Sequence, residues 1–175
     1  MTFNVKRLFV LTKKEYFADF VITPSLTFIL LLFSLSSFSW SWIPLFVLGI
    51  VFWTFYEYLF HRFLLHHMIG LYEIHMIHHR NQKEYVGIHP LITLSISVTF
   101  WTLFGIHSIP LMVGFSMGYI GYSILHTMCH YYIGYHSDWF FRLKMRHINH
   151  HRYYNKNFGV SVSWWDKLFD TEHRT

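Results

Sequence analysis

Residues 20–56 read FVITPSLTFILLLFSLSSFSWSWIPLFVLGIVFWTFY and contain no Asp, Glu, Lys or Arg. A second stretch that lacks these four residue types covers residues 85–137. Because a transmembrane helix needs about 20 apolar residues, each stretch is too long for one span and suits two. The sequence therefore predicts an all-α integral membrane protein whose four transmembrane helices form two hairpins.

Small polar and interfacial aromatic residues divide the first stretch, and His-Ser-Ile-Pro divides the second. The predicted spans lie near residues 21–39, 42–60, 91–107 and 109–126. Pro44 and Pro110 then fall in first helical turns, where the missing proline N–H costs little. The segments 61–90 and 127–175 are predicted to form a His-rich, helical cytosolic cap, and residues 1–175 to form a single domain.

The composition agrees with a membrane protein. Hydrophobic residues make up 53% of the chain and charged residues 13%, whereas soluble domains have about 25% charged residues. Four spans place both termini and every charged residue on one side, which the positive-inside rule identifies as cytoplasmic. The expected membrane is a bacterial inner membrane or the endoplasmic reticulum. No cleavable signal peptide is expected, and the single Cys129 excludes an intramolecular disulfide.

Histidine is unusually frequent, with fifteen in the chain, and eleven of them lie in four clusters. The clusters are His61, His66 and His67; His75, His78 and His79; His126 and His130; and His147, His150 and His151. The second and fourth have the spacing HxxHH, which predicts three imidazoles on one helix face and aimed at one point. His61 and His66 lie about 140° apart on a straight helix. They converge only if the helix ends or bends between them, or if His67 contributes instead.

The predicted topology brings all four clusters to the cytosolic membrane face. About eight to ten imidazole nitrogens exceed the four to six ligands of one first-row metal ion, so the pattern predicts a shared site for two ions. Glu57, one turn before His61, could accept the ring N–H of a ligand or mark the helix end. Asp138, Asp166 and Asp170 are candidates for the same role, although solvent exposure is favoured for them. For His89, His107, His136 and His173, a role other than metal ligand is favoured.

These motifs resemble the fatty acid hydroxylase superfamily, which also contains sterol desaturases, sterol C-4 methyl oxidases and carotenoid hydroxylases. The matching motifs are HRFLLH at 61–66, HMIHH at 75–79, HTMCH at 126–130, HINHH at 147–151, NFGVS at 157–161 and WDKLFDT at 165–171. The resemblance implies a four-helix anchor and a dinuclear centre, normally two iron ions, that zinc can replace in a purified sample. The implied ligands are His61, His66, His75, His78, His79, His126, His130, His147, His150 and His151.

The resemblance also implies O₂-dependent hydroxylation or desaturation of a lipid, with electrons from a separate donor such as cytochrome b5 or ferredoxin. The spacing at 126–130 and the C-terminal motif are closest to fatty acid 2-hydroxylases, so a fatty acyl chain is the favoured substrate. Tyr131 departs from that group, which usually has paired histidines there. A sterol or carotenoid hydroxylase or desaturase is the alternative within the superfamily.

Two alternatives belong to other classes. A non-enzymatic metal transporter would place its ligands along the spans, whereas these histidines cluster at one membrane face. A haem electron carrier would need single histidines on facing helices at membrane depth. Nucleic acid is not an expected partner, because the basic residues are not gathered on a soluble module.

Overall fold

The computed structural model describes residues 8–35, 38–133 and 137–173, except for the side chains at positions 101 and 106. Within this part the chain is helical, and its only strand-like feature is an isolated antiparallel bridge between Val10 and Val86. The helices are α1 (Lys13–Leu35), α2 (Trp42–Leu59), a π-helical segment (Phe60–Leu65), α3 (Leu71–Arg80), α4 (Pro90–Phe104), a 3₁₀ turn (Ile106–Ser108), α5 (Ile109–Tyr131), α6 (Asp138–Arg152) and α7 (Trp164–Leu168). The predicted all-α class is confirmed.

Three of the described helices are long and apolar enough to cross a membrane. They are Lys13–Leu35, Trp42–Leu65 and Ile109–Tyr131. Helix α4 is also apolar but has 15 residues, fewer than a span usually needs, and the left-handed Gly105 (φ 67°) follows it. Length and composition therefore support a membrane protein with three candidate spanning helices, and the predicted total of four spans, including one at α4, stays a prediction.

Helix α1 begins earlier than the predicted span at 21–39. A capping box fixes its start, because the Thr12 hydroxyl accepts the Glu15 N–H at 3.3 Å and the Glu15 carboxylate accepts the Thr12 N–H at 2.7 Å. The helix begins before the predicted span because hydropathy marks the apolar part of a helix and not its hydrogen-bonded ends, and the bounds of the span itself stay a prediction. Helix α5 likewise runs on to Tyr131, so the helix continues beyond the predicted boundary at residue 126.

The chain divides into two compact units. The first comprises Met1–Trp53 and Tyr85–Ile120, and the second comprises Thr54–Glu84 and Gly121–Thr175. Helices α2 and α5 contribute residues to both units. The first unit contains α1 and α4, and the second contains all four predicted histidine clusters.

Glycines bring the backbones of α2 and α5 together in the first unit. A Cβ atom on Gly114 would lie 2.0 Å from the carbonyl oxygen of Phe46, and one on Gly49 would lie 2.2 Å from that of Leu111. Gly114 and Gly118 form a GxxxG pair, the spacing that allows close helix approach in membranes. These two helices therefore meet backbone to backbone at the glycines, and aromatic side chains such as Trp53 and Phe115 pack beside this contact.

Polar side chains connect α1 to α5 within the same unit. The buried Asp19 accepts a hydrogen bond from the Thr23 hydroxyl at 2.8 Å and another from the Tyr119 hydroxyl. Hydrogen bonds between helices replace the hydrophobic driving force that lipid does not supply. Asp19 therefore acts as an interhelical anchor.

The Tyr119→Phe variant is expected to be about 1–2 kcal/mol less stable than the parent, because it removes one hydrogen bond to a buried carboxylate. Unfolding in detergent micelles, followed by tryptophan fluorescence, measures the change. Tyr72→Phe is the control, because Tyr72 is exposed on α3. Equal stability of the two variants would show that the Tyr119–Asp19 contact contributes nothing.

Candidate metal centre

Ten histidines of the second unit converge in two groups of five. The first histidine group is His61, His66, His75, His79 and His150, and the second histidine group is His78, His126, His130, His147 and His151. Within each group, one ring nitrogen from every residue lies within 4.8 Å of the others. The structure thus brings together all ten predicted ligands and separates them into two sets.

Each HxxHH motif supplies both groups. In α3, His75 and His79 join the first histidine group, whereas His78 joins the second. In α6, His150 joins the first histidine group, whereas His147 and His151 join the second. The expectation that each motif aims three imidazoles at one point was wrong, because adjacent helical residues such as His78 and His79 diverge by about 100°.

The π-helical segment brings His61 and His66 to the same group. Its i→i+5 hydrogen bonds make residues five apart close neighbours along one face, and the two ring centroids lie 5.1 Å apart. The helix therefore widens between them rather than ending. His67 does not contribute, because it is exposed and its Nδ1 contacts the Arg62 carbonyl oxygen at 2.7 Å.

The spacing of the nitrogens suits metal coordination. The Nε2–Nε2 distances are 3.0 Å for His61–His75, 3.2 Å for His66–His150, 3.1 Å for His75–His79, 3.1 Å for His78–His126, 2.7 Å for His130–His147 and 3.1 Å for His147–His151. Two imidazole nitrogens at right angles, each about 2.1 Å from an ion, lie about 3.0 Å apart. The donor set and its spacing therefore fit one ion in each group.

Burial keeps the histidines neutral. Desolvation is the main cause that lowers the pKa of His75, His78, His147 and His150 well below the ordinary value, and the charges of neighbouring histidines add to it. Burial also lowers the pKa of His66 to about 2, of His79 to about 4 and of His151 to about 3. Neutral imidazoles at pH 7 are the form that binds a metal ion.

Backbone carbonyls orient two ligands of the first histidine group. Nδ1 of His61 donates to the Phe158 carbonyl oxygen at 2.6 Å, and Nδ1 of His150 donates to the Lys156 carbonyl oxygen at 2.7 Å. Because a carbonyl only accepts, these contacts put the ring proton on Nδ1 and leave the Nε2 lone pair for the group. Sequence reasoning missed both carbonyls, although the NFGVS motif at 157–161 marks the segment.

Glu57 does not accept a ring N–H, which corrects one of its two predicted roles. Its carboxylate accepts the N–H groups of Val160 at 2.6 Å and Ser161 at 2.9 Å, and the Ser161 hydroxyl at 2.5 Å. The ring N–H of His61 is already bound to a carbonyl, whereas these buried loop amides need an acceptor. Glu57 therefore acts on the loop rather than on a ligand.

Asp166 is fully buried, which contradicts the predicted solvent exposure. It accepts the N–H groups of Phe158 at 2.8 Å and Gly159 at 2.9 Å and the Thr171 hydroxyl at 2.8 Å, and it forms an ion pair with Arg146 at 3.0 Å. These partners compensate its burial, which sequence alone does not reveal. Asp138 and Asp170 are exposed, as predicted.

The remaining histidines belong to neither group wherever the structure describes them. His89 lies 3.7 Å from a Glu15 carboxylate oxygen in the first unit, and the His173 ring stacks on Tyr153 with centroids 4.5 Å apart. His107 belongs to neither group. The prediction for His136 lies outside the described residues.

Comparison with known proteins connects this site to a family. The sequence model of the fatty acid hydroxylase family matches residues 46–171. Fatty acid 2-hydroxylase of Mus musculus is 35% identical over 74% of this chain and 39% of its own length. Dihydroceramide fatty acyl 2-hydroxylase FAH1 of Arabidopsis thaliana is 32% identical over 74% of this chain and 60% of its own length. The chain thus spans less than two thirds of the length of these relatives.

The fold also resembles a solved structure. Full-length scs7p, of which only the hydroxylase domain is visible, superposes with a TM-score of 0.78 over 91% of this chain and 67% of that chain, at 22% identity. At this identity the likeness concerns the fold alone. The family match covers most of the chain and includes all ten grouped histidines. The resemblance seen in the motifs is confirmed: the chain belongs to the fatty acid hydroxylase family.

Proposed function

We propose that this protein hydroxylates the fatty acyl chain of a lipid with O₂, using two iron ions held by the two histidine groups. The observation that carries the proposal is the convergence of ten ring nitrogens in two sets of five. The relatives named fatty acid 2-hydroxylase and dihydroceramide fatty acyl 2-hydroxylase support an acyl substrate. The site contains more imidazoles than a hydrolytic zinc site uses.

The protein residues hold and orient the ions. His61, His66, His75, His79 and His150 would bind one ion, and His78, His126, His130, His147 and His151 the other. An iron pair held by these residues would supply O₂ activation, so that with two electrons and two protons one oxygen atom would enter a C–H bond and the other would leave as water. The buried neutral imidazoles favour metal binding over protonation at neutral pH. Zinc can occupy such ligands without supplying the redox chemistry.

The proposal also covers the membrane arrangement. Helix α4 would complete two hairpins with α1, α2 and α5, which places both termini on the cytoplasmic side. The lipid substrate would come from the bilayer of a bacterial inner membrane or the endoplasmic reticulum. A separate carrier such as cytochrome b5 or ferredoxin would deliver the two electrons that each turnover consumes.

Lipid analysis tests the activity directly. Cells that express the protein with an electron carrier and receive isotopically labelled O₂ are expected to accumulate fatty acids with one labelled hydroxyl, detected by mass spectrometry. The His147→Ala variant is expected to lose this product, whereas His67→Ala, which alters an exposed histidine outside both groups, retains it. Detection of desaturated acyl chains without label would contradict the proposed reaction. Incorporation of the label into sterols or carotenoids instead of acyl chains would also contradict it.

A further inference from the structure

We propose that Glu57 is a positioning residue that controls metal binding at the first histidine group alone. It would act through residues 156–161, here termed the C-terminal strap. The inference rests on the proposed function, because it assumes that the histidine groups bind metal ions. The buried Glu57 carboxylate forms its hydrogen bonds with Val160 and Ser161 in the described structure, and not with a grouped histidine.

The strap contacts two ligands of one group. Its carbonyl groups at Lys156 and Phe158 accept the Nδ1–H bonds of His150 and His61. These two ligands come from different helices, α6 and the π-helical segment after α2. A displaced strap would therefore release the rings of both ligands to rotate and to exchange tautomers.

Two carboxylates bind adjacent pairs of backbone amides in the NFGVS sequence of the strap. Asp166 accepts the N–H groups of Phe158 and Gly159, and Glu57 accepts those of the next two residues, Val160 and Ser161. Four consecutive backbone amides are thus bound by buried acceptors. Glycine is required inside this turn, since a Cβ at position 159 would lie 2.2 Å from a backbone carbonyl oxygen.

Among the described residues, the hydrogen bonds from strap carbonyls to grouped histidine rings reach His61 and His150, and none reaches the second histidine group. Nδ1 of His78, of His147 and of His151 is buried and has no hydrogen-bond partner in the described part of the chain. His66 is the one member of the first group with the same property. Glu57 is therefore connected through the strap to the first histidine group only. Binding of the two ions would depend on Glu57 unequally.

Metal titration tests this asymmetry in the full-length protein without measuring turnover. Anaerobic Fe²⁺ binding is measured by competition with a chromogenic chelator. Glu57→Ala is expected to weaken one of the two ions about 10–100-fold, the usual effect of removing an outer-shell partner, and to leave the other unchanged. Glu57→Gln is expected to restore binding, because its amide oxygen can accept both backbone N–H groups and its NH₂ can donate to Ser161.

Double variants identify which ion responds. In a His78→Ala background, where only the first histidine group is intact, Glu57→Ala is expected to weaken the remaining ion. In a His150→Ala background it is expected to have no further effect. Glu84→Ala removes an exposed carboxylate of the same unit and serves as the matched control. If Glu57→Ala does not yield folded protein, Glu57→Asp replaces it, with the same selectivity and a smaller change.

The outcomes separate the two proposals. Equal weakening of both ions, or no change in either, would overturn the positioning role of Glu57 and leave the dinuclear centre standing. Fewer than two ions in the parent protein would overturn the proposed function itself. Selective loss that Glu57→Gln reverses supports the positioning role, because general destabilisation of the fold would release both ions together.

Discussion

The His150→Ala variant is expected to lose the iron of the first histidine group, and the His78→Ala variant that of the second, so each retains about one of two irons per chain. Each substitution removes one of the five nitrogens that converge in its group. The double variant is expected to retain neither iron. All three variants are expected to lose lipid hydroxylation, because the proposed reaction uses both ions.

Metal analysis of protein purified in detergent under reducing, anaerobic conditions measures this effect. His67→Ala controls for the loss of an imidazole, because His67 lies close in sequence but contacts the Arg62 carbonyl outside both groups. Full retention of iron in the double variant would rule out the histidine groups as the metal centre. Loss of both ions in each single variant would show instead that the two sites bind cooperatively.

Gly114→Ala is expected to disrupt the contact between α2 and α5 and to destabilise the protein by about 3 kcal/mol or more. The added methyl group would lie 2.0 Å from the Phe46 carbonyl oxygen and 3.2 Å from Cα of Gly49. Both are backbone atoms, so no side-chain rotation relieves the clash. The two helices would have to separate along their length, which also disturbs the fit of Gly118 against Trp53.

Gly121→Ala is the matched control on the same helix. A Cβ at Gly121 would meet nothing within 4 Å, and alanine has a higher helix propensity than glycine by about 1 kcal/mol. This control is expected to be as stable as the parent or slightly more stable. Thermal unfolding monitored by fluorescence-detected size-exclusion chromatography compares the two variants. Equal unfolding temperatures would show that α2 and α5 do not approach as closely as the structure indicates.

Much of the helical architecture could be predicted from residue types. The two stretches without charged residues located α1, α2, α4 and α5, because lipid excludes charge over the length of a span. The capping box at Thr12 was also present in the sequence, but the start of α1 was placed by the hydropathy of the following residues and not by this motif. Helix ends depend on local hydrogen bonds, which an average over a window does not detect.

The membership of the site could be predicted better than its division. Helical spacing indicated which histidines could converge, but it did not indicate that His78 and His79 belong to different groups. The π-helical turn between His61 and His66 was not visible, since no residue type specifies i→i+5 hydrogen bonding. The carbonyls of Lys156 and Phe158 were missed because every residue has a backbone carbonyl, and only the fold decides which ones face a ligand.

Because α3 and α6 each supply histidines to both groups, the two groups depend on the same helix contact during assembly. Each helix gives two histidines to one group and one to the other, so neither group can be completed by one helix. The approach of α3 to α6 that joins their three ligands of one group joins their three ligands of the other as well, and His61 with His66 or His126 with His130 completes each group. The distance between the two groups is then set by the helical rotation between adjacent residues, His78 with His79 in α3 and His150 with His151 in α6. Movement of a helix as a whole does not change this distance. In the parent sequence, α3 and α6 therefore bring their ligands to both groups in a single packing step.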